Sequence, residues 1–230
     1  MTTIAGNLQD VRARIATACA AAGRNVEEVT LLAVSKTWGA DAVRAAVAAG
    51  QQAFGENYVQ EAVAKMAALR DLPLQWHCIG PVQSNKTRVV AEHFDWIHTV
   101  DRLKIAERLA EQRPDGLPPL NVCVQVNIDG GPSKSGVAPA DALALARAVA
   151  QLPRLRLRGL MTIPDITSDL IAARAIHSRA RALFDQLNGE GLALDTLSMG
   201  MSADLEPAIA AGSTMVRVGS AIFGARPAKA

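Results

Sequence analysis

Short apolar runs alternate with alanine-rich amphipathic stretches along the whole sequence, and no other feature constrains the fold as tightly. The candidate strands are 29–36 (VTLLAVSK), 53–58 (AFGENY), 76–80 (WHCIG), 94–100 (FDWIHTV), 120–128 (LNVCVQVNI), 155–163 (LRLRGLMTI), 196–201 (TLSMGM) and 215–223 (MVRVGSAIF). Several are near-continuous hydrophobic runs, the pattern of parallel strands covered by helices. Between them, 41–49 (DAVRAAVAA) starts at Asp41 and stops before Gly50, with a cap residue type at each end. Residues 139–151 open with Pro139, carry Asp141 in the first turn and stop before Pro153. The stretches 102–112 and 169–188 share this periodicity, a short helical stretch follows from Ala203, and 5–22 reads as an extra helix ahead of the first strand. Eight strands with intervening helices predict an α/β fold, a closed (β/α)8 TIM barrel with an extra N-terminal helix, as one domain over 1–230. A doubly wound open sheet is the alternative that periodicity leaves open.

A chain of 230 residues suits one large domain and buries well over half of its unfolded surface. It therefore needs neither metal nor disulfide to hold together. Cys19, Cys78 and Cys123 are odd in number and form no CxxC pair, which fits a reducing compartment. The net charge of +2 is spread along the chain, which weighs against nucleic acid or an acidic membrane as partner. The first residues lack the basic start and apolar core of a signal peptide. No apolar run approaches the roughly 18 to 20 residues that span a bilayer. The expectation is a soluble, cytoplasmic protein.

In such a barrel the active site forms where strands end and the next loops begin. The first strand ends in Ala33-Val34-Ser35-Lys36. A lysine there starts in the barrel mouth, and desolvation favours the neutral amine that forms imines; a solvated strand-end lysine is the plain alternative. In the last strand, Met215, Arg217 and Gly219 share one face and Val216 and Val218 the other. If the valines meet the helices, Arg217 points into the barrel and needs an acceptor. Gly219 and Ser220 then sit at the strand end, where bare N–H groups and a hydroxyl can meet a phosphate. Strand seven leads into Gly200, Met201 and Ser202, with Ser202 expected to cap the short helix from Ala203. Loops after strands seven and eight are the usual phosphate site of this fold. The polar ends Gly55-Glu56-Asn57-Tyr58 and Ser133-Lys134-Ser135-Gly136 read as turns or caps. His77, His93, His98 and His177 lack metal-ligand spacing, so no metal is expected. No GxSxG, Walker loop or dinucleotide fingerprint appears.

The segments AVSKTWG, FGENYVQEA, WHCIGPVQSNK, SKSGV, RGLMTI, LSMGMSADLEPAI and GSTMVRVGSAIFGAR, spread from residue 33 to 226, resemble the pyridoxal phosphate homeostasis protein family. That family is related to the barrel domain of bacterial alanine racemase. The resemblance implies that Lys36 carries pyridoxal 5′-phosphate (PLP) as a Schiff base. It implies a phosphate held around Ser202, Gly219 and Ser220 with help from the Gly200 and Met201 backbone, and Arg217 facing the pyridine nitrogen. Asn57 and His77 match family positions near the cofactor, and Lys134 matches a second lysine that contacts or relays it. Position 220 is Ser where the family more often has Thr, and the loop Asp129-Gly130-Gly131-Pro132 lacks the acidic residue often found before SKSG.

The resemblance implies a protein that buffers or delivers PLP without dedicated catalysis, with PLP-dependent apo-enzymes as recipients. The alternatives are a low-activity PLP-dependent amino-acid racemase and a cofactor-free Schiff-base aldolase on a phosphosugar. Racemisation needs a base on each face of the carbanion. Lys36 serves one face, and Tyr58 is the single tyrosine. A permanent charge at the ring nitrogen disfavours its protonation and weakens the cofactor as an electron sink. With strand eight reaching almost to Ala230, no second domain is expected, and the chain reads as a monomer.

Overall fold

In the computed structural model, which describes residues 3–131, 134–165 and 167–224, eight parallel strands close into one barrel in sequence order. They are β1 (Thr30–Val34), β2 (Ala53–Glu56), β3 (Gln75–Cys78), β4 (Trp96–Val100), β5 (Leu120–Gln125), β6 (Leu155–Met161), β7 (Thr196–Ser198) and β8 (Met215–Val218). The ring closes where β8 pairs with β1, Leu32 opposite Arg217 and Ala33 opposite Val218. The open-sheet alternative is thereby excluded.

The helices are α1 (Ile4–Ala21), α2 (Ala40–Ala48), α3 (Val59–Ala68), α4 (Thr87–His93), α5 (Leu103–Gln112), α6 (Ala142–Ala150), α7 (Leu170–Gly189), α8 (Leu205–Ala210) and α9 (Ser220–Phe223). In α1, Leu8, Val11, Ile15, Ala18 and Cys19 form one buried stripe, and this extra helix packs on α2, α8 and α9. Each large side chain in that stripe contributes about 1.5–3 kcal/mol by leaving water. Gly50, in the left-handed region, ends α2, with its own N–H donating to Val47 O.

Alternation sorts each strand. Ala33, Phe54, Ile97, Leu160, Val216 and Val218 join the layer between sheet and helices. Inside the barrel lie two small apolar clusters, Leu32, Val34, Ile79 and Met215 in one, Trp96, Cys123 and Met161 in the other. The buried polar side chains of His77, His98, Ser198 and Arg217 share that interior.

Three local expectations need correction. The last strand stops at Val218, and 220–223 forms α9 instead of continuing the strand, because the chain turns at Gly219 into helical hydrogen bonds from Ile222 and Phe223 back to Gly219 O. Ser202 does not cap α8; that helix starts at Leu205 after Asp204. The helices α3 and α4 have no counterpart among the stretches singled out from sequence. On the buried face of α3, Lys65 interrupts the apolar stripe, and α4 is only seven residues long. Pro132 and Ser133, and the end of the last motif at 225–226, lie outside the described residues, as do the ends of the expected 1–230 domain.

Candidate functional site

At the carboxyl ends of the strands lies a cavity of about 370 Å³, within the usual range of small-molecule sites. Its wall includes Lys36, Asn57, Met201, Ser202, Arg217, Gly219 and Ser220. Thus seven of the residues singled out from sequence converge here, together with Trp38, Ile79 and Ile163, which were not.

One side of the mouth is built around the lysine. Beyond β1, Ser35 is fully buried and its hydroxyl donates to Glu56 Oε1 at 2.5 Å. Lys65 Nζ donates to the same carboxylate oxygen and, at 2.8 Å, to the Ser35 carbonyl. Glu56 is the last residue of β2 and fully buried, so it is neither turn nor cap. Burial pushes its carboxyl up, against the pull of Lys65 and Ser35. Thr37, next to the half-buried Lys36, adopts a φ of 69°. Its N–H donates to Glu61 Oε1 at 2.9 Å, and Trp38 N–H donates back to Ser35 O at 3.0 Å. The ring of Trp38 stacks on Phe223 of α9, with centroids 6.0 Å apart. The lysine loop is therefore pinned from β2, α3 and α9.

The opposite side is built from backbone. Gly200 has a φ of 92°, and a Cβ there would press on Ala208. Its carbonyl accepts Arg217 N–H at 3.0 Å, so it stands directly behind the cavity wall. The Met201 N–H donates to Asp204 Oδ1 at 2.7 Å, and Asp204 Oδ2 lies 2.9 Å from His177 Nε2. Burial raises the Asp204 carboxyl, but these hydrogen bonds outweigh it and hold the group below the ordinary aspartate value. Gly219 lies so near β1 that a Cβ would stand 3.2 Å from Val34 O. Ser220 opens α9, whose first N–H groups have no partner within the helix.

Between the two sides Arg217 is 3 % exposed. It donates to Ser198 Oγ at 2.7 Å and to Thr162 O at 2.8 Å. Burial lowers its pKa to about 10, so it stays charged at neutral pH. The expectation that Arg217 points inward therefore holds, with a hydroxyl and a carbonyl as acceptors.

Two candidates sit elsewhere. His77 is fully buried below the wall, bonded to His98 and Gln75, and burial lowers its pKa to about 3. Lys134, in the loop after β5, pairs with Asp129 and Asp165 and donates to Ile163 O. It thus ties that loop to a segment on the cavity rim. The roles of Ser198 and His98 carried no sequence signal beyond strand alternation, and those of Asp204 and His177 carried none. Only the i,i+4 pair Glu61 and Lys65 announced a cluster on α3. Among the described residues no three His, Cys, Asp or Glu side chains could hold a metal, and the three cysteines are buried and unpaired.

The sequence profile that matches residues 6–227 is that of the alanine racemase N-terminal domain, which sets the class of this barrel. The pyridoxal phosphate homeostasis protein of Pseudomonas aeruginosa is 64% identical over 226 residues, spanning 98% of this chain and 97% of that one. The structure of PipY from Synechococcus elongatus, solved with PLP bound, superposes with a TM-score of 0.85 at 41% identity, covering 96% of this chain and 100% of that one. The chain belongs to the pyridoxal phosphate homeostasis protein family. A Clostridium difficile alanine racemase shares the fold, with a TM-score of 0.75 at 17% identity, across 99% of this chain and 58% of that one.

Proposed function

We propose that this protein binds PLP as a Schiff base on Lys36 and serves intracellular PLP homeostasis without a dedicated catalytic activity. The single observation that carries the reading is the convergence of Lys36, Arg217 and the Gly219–Ser220 turn on one cavity of about 370 Å³. The residues suit the cofactor in detail. Asn57 Oδ1 is buried with no hydrogen-bond partner, an orphan that a polar ligand would satisfy. Gly219 carries no side chain because β1 stands where its Cβ would be, which brings this turn's backbone onto the cavity wall. The PLP-bound relative, similar over almost the whole chain, supports the same ligand here.

When bound, the cofactor supplies an aldehyde with which an amine condenses. Lys36 provides that amine. Ser220, Gly219 and Ser202 would hold the phosphate end, with the Gly200–Met201 backbone, its Met201 N–H engaged by Asp204, shaping the wall around it. Arg217 would present a permanent positive charge to the ring nitrogen and so disfavour a proton there. The described wall of the cavity holds one amine and no Tyr, His, Cys, Asp or Glu to act as a second base. Tyr58 is 57% exposed and not part of it. That supports holding and release over racemisation. We assign the protein to the cytoplasm as a monomer, with PLP-dependent apo-enzymes as recipients and Lys134 as a secondary contact at the rim. No helix among the described residues is long and apolar enough to cross a membrane.

The test is a visible spectrum of the protein mixed with PLP, followed by borohydride reduction and peptide mapping. A yellow protein with the adduct on Lys36, lost in Lys36→Ala while the fold persists, is expected. An adduct elsewhere, or no adduct, overturns the reading. A racemase assay on the loaded protein separates the second reading.

A further inference from the structure

Arg217 is almost fully buried, yet no carboxylate among the described residues touches it; Asp204 acts on it only from beyond ion-pair distance. The guanidinium's acceptor Ser198 is instead the first member of a hydrogen-bonded series through the barrel. Ser198 Oγ lies 2.9 Å from His98 Nδ1, His98 Nε2 lies 2.9 Å from His77 Nδ1, and His77 Nε2 lies 3.0 Å from Gln75 Oε1. Gln75 begins β3 at the other end of the barrel and lines a separate cavity there with Asp95.

The proton positions follow from counting donors. Both histidines are fully buried, and burial drives His77 to about 3 and His98 well below its ordinary value. The charged groups facing them are Arg158, stacked over Trp96 beside His77, and Arg217 itself, both of which disfavour a second positive charge. Each ring is therefore neutral and carries one N–H. Ser198 Oγ already accepts from Arg217, so its single proton is left for His98 Nδ1. His98 then donates from Nε2 to His77 Nδ1, and His77 donates from Nε2 to Gln75 Oε1. The reverse direction would bring two donors onto Ser198 Oγ and leave its proton without an acceptor.

We propose that Ser198, His98, His77 and Gln75 form a positioning chain that holds the Arg217 guanidinium with aligned neutral dipoles in place of a counter-ion. Every dipole in the chain turns its negative end toward the cation, and such bonds polarise one another in a low-dielectric interior. A carboxylate at Ser198 would hold Arg217 equally well but would cancel its charge. The neutral chain adds no negative charge in contact with the guanidinium, so what offsets it is the more distant Asp204 carboxylate, acting through space. Gln75, remote from the cavity, thereby acts on the group that faces the ligand. The last step, from Arg217 to a cofactor ring, rests on the PLP reading above; the chain itself does not.

The experiment uses nitrogen-15 spectra of histidine and arginine side chains in the protein without cofactor, then visible spectra after adding PLP. Wild type is expected to show both rings as neutral Nε2–H tautomers that do not titrate between about pH 5 and 8. Its Arg217 guanidinium protons should exchange slowly. Ser198→Ala should mix the His98 tautomers and speed Arg217 exchange at least about threefold. Gln75→Leu, at an exposed residue that does not threaten folding, should mix the His77 tautomers. Gln75→Glu keeps an acceptor at that point and should retain the wild-type pattern. A Nδ1–H or charged histidine in wild type, or Arg217 exchange unmoved in Ser198→Ala, overturns the chain. With PLP added, Ser198→Ala should shift the pH at which the visible band changes, and Gln75→Glu should not. An unshifted band overturns the coupling to the ligand. A wild-type protein that takes up no PLP overturns the functional reading, while the nitrogen spectra still decide the chain.

Discussion

The two sides of the barrel mouth are held in place by opposite means. The lysine side relies on charge: a buried Lys65–Glu56 pair beneath Ser35, with Glu61 holding the next peptide. The opposite side relies on backbone: a left-handed Gly200, a turn closed onto Asp204, and Gly219 packed against β1. The difference has a chemical reason. Two lysines meet at one loop, and the proposed Schiff base needs one of them. Glu56 and the Ser35 carbonyl engage the Lys65 amine below the loop, leaving Lys36 on the cavity wall. On the proposed reading the group bound on the other side is an anion, so a carboxylate on the wall would repel it, and N–H groups serve better.

The largest expected effect breaks the charged side. Lys65→Met strands Glu56 in the interior and should cost about 3–5 kcal/mol in chemical denaturation. Glu56→Gln in the same protein should restore most of that, since a neutral amide needs no counter-ion. The sign of the pH dependence is a second check. Burial raises the folded Glu56 carboxyl above its unfolded value, so this group favours the folded state more at low pH and less as pH rises through that window. The Lys65→Met deficit should therefore shrink on acidification. A deficit that is independent of pH would show that Glu56 is not the group left behind.

Next in size is the backbone side. Gly200→Ala forces a Cβ into the left-handed region and against Ala208, at about 1–3 kcal/mol. It should also weaken phosphate-end binding, measured with a PLP analogue lacking the aldehyde, while leaving borohydride trapping on Lys36 in place at saturating PLP. Equal loss of both would mean that the two sides are not separable.

This contrast also decides what was legible in the sequence. The barrel, its eight strands and the extra helix follow from apolar patterning, because patterning reports burial, and burial makes the layers. Arg217 was legible for the same reason: Val216 and Val218 had to face the helices, so the residue between them faced inward. Lys36, Gly219 and Ser220 stood out as reactive or bare groups at strand ends. The supports did not stand out. Lys65 on the inner face of α3 contradicts the apolar pattern, and only its ion pair with Glu56, nine residues away, explains it. Ser202 looked like a cap, whereas Asp204 closes the turn through a side chain whose target no spacing rule points to. His77 was placed near the cofactor by resemblance; it is fully buried, bonded to His98, and does not line the cavity.

Asp204→Asn should cost about 1 kcal/mol, less than Gly200→Ala, because an amide oxygen still accepts from Met201 N–H. Its pH signature should oppose that of Glu56. The folded Asp204 carboxyl lies below its unfolded value, so its contribution is full above the ordinary aspartate range and is lost as pH falls through the folded value. Thermal melts of wild type and Asp204→Asn should therefore converge on acidification, just as the Lys65→Met deficit shrinks.

The smallest effect tests whether the lysine side stores strain. Thr37 holds a φ of 69°, a region where a side chain is disfavoured, yet its N–H is engaged by Glu61. Thr37→Gly removes the steric cost and keeps that bond, but it also loosens the unfolded chain. The two nearly offset, and the net change should stay within about 1 kcal/mol. The informative readout is the rate at which bound PLP exchanges with added PLP. If the charged cluster alone fixes the loop, Thr37→Gly leaves that rate unchanged and Glu61→Gln raises it. If Thr37→Gly raises the rate as much as Glu61→Gln does, the stiffness of the lysine side resides in its backbone, and the contrast between the two sides collapses.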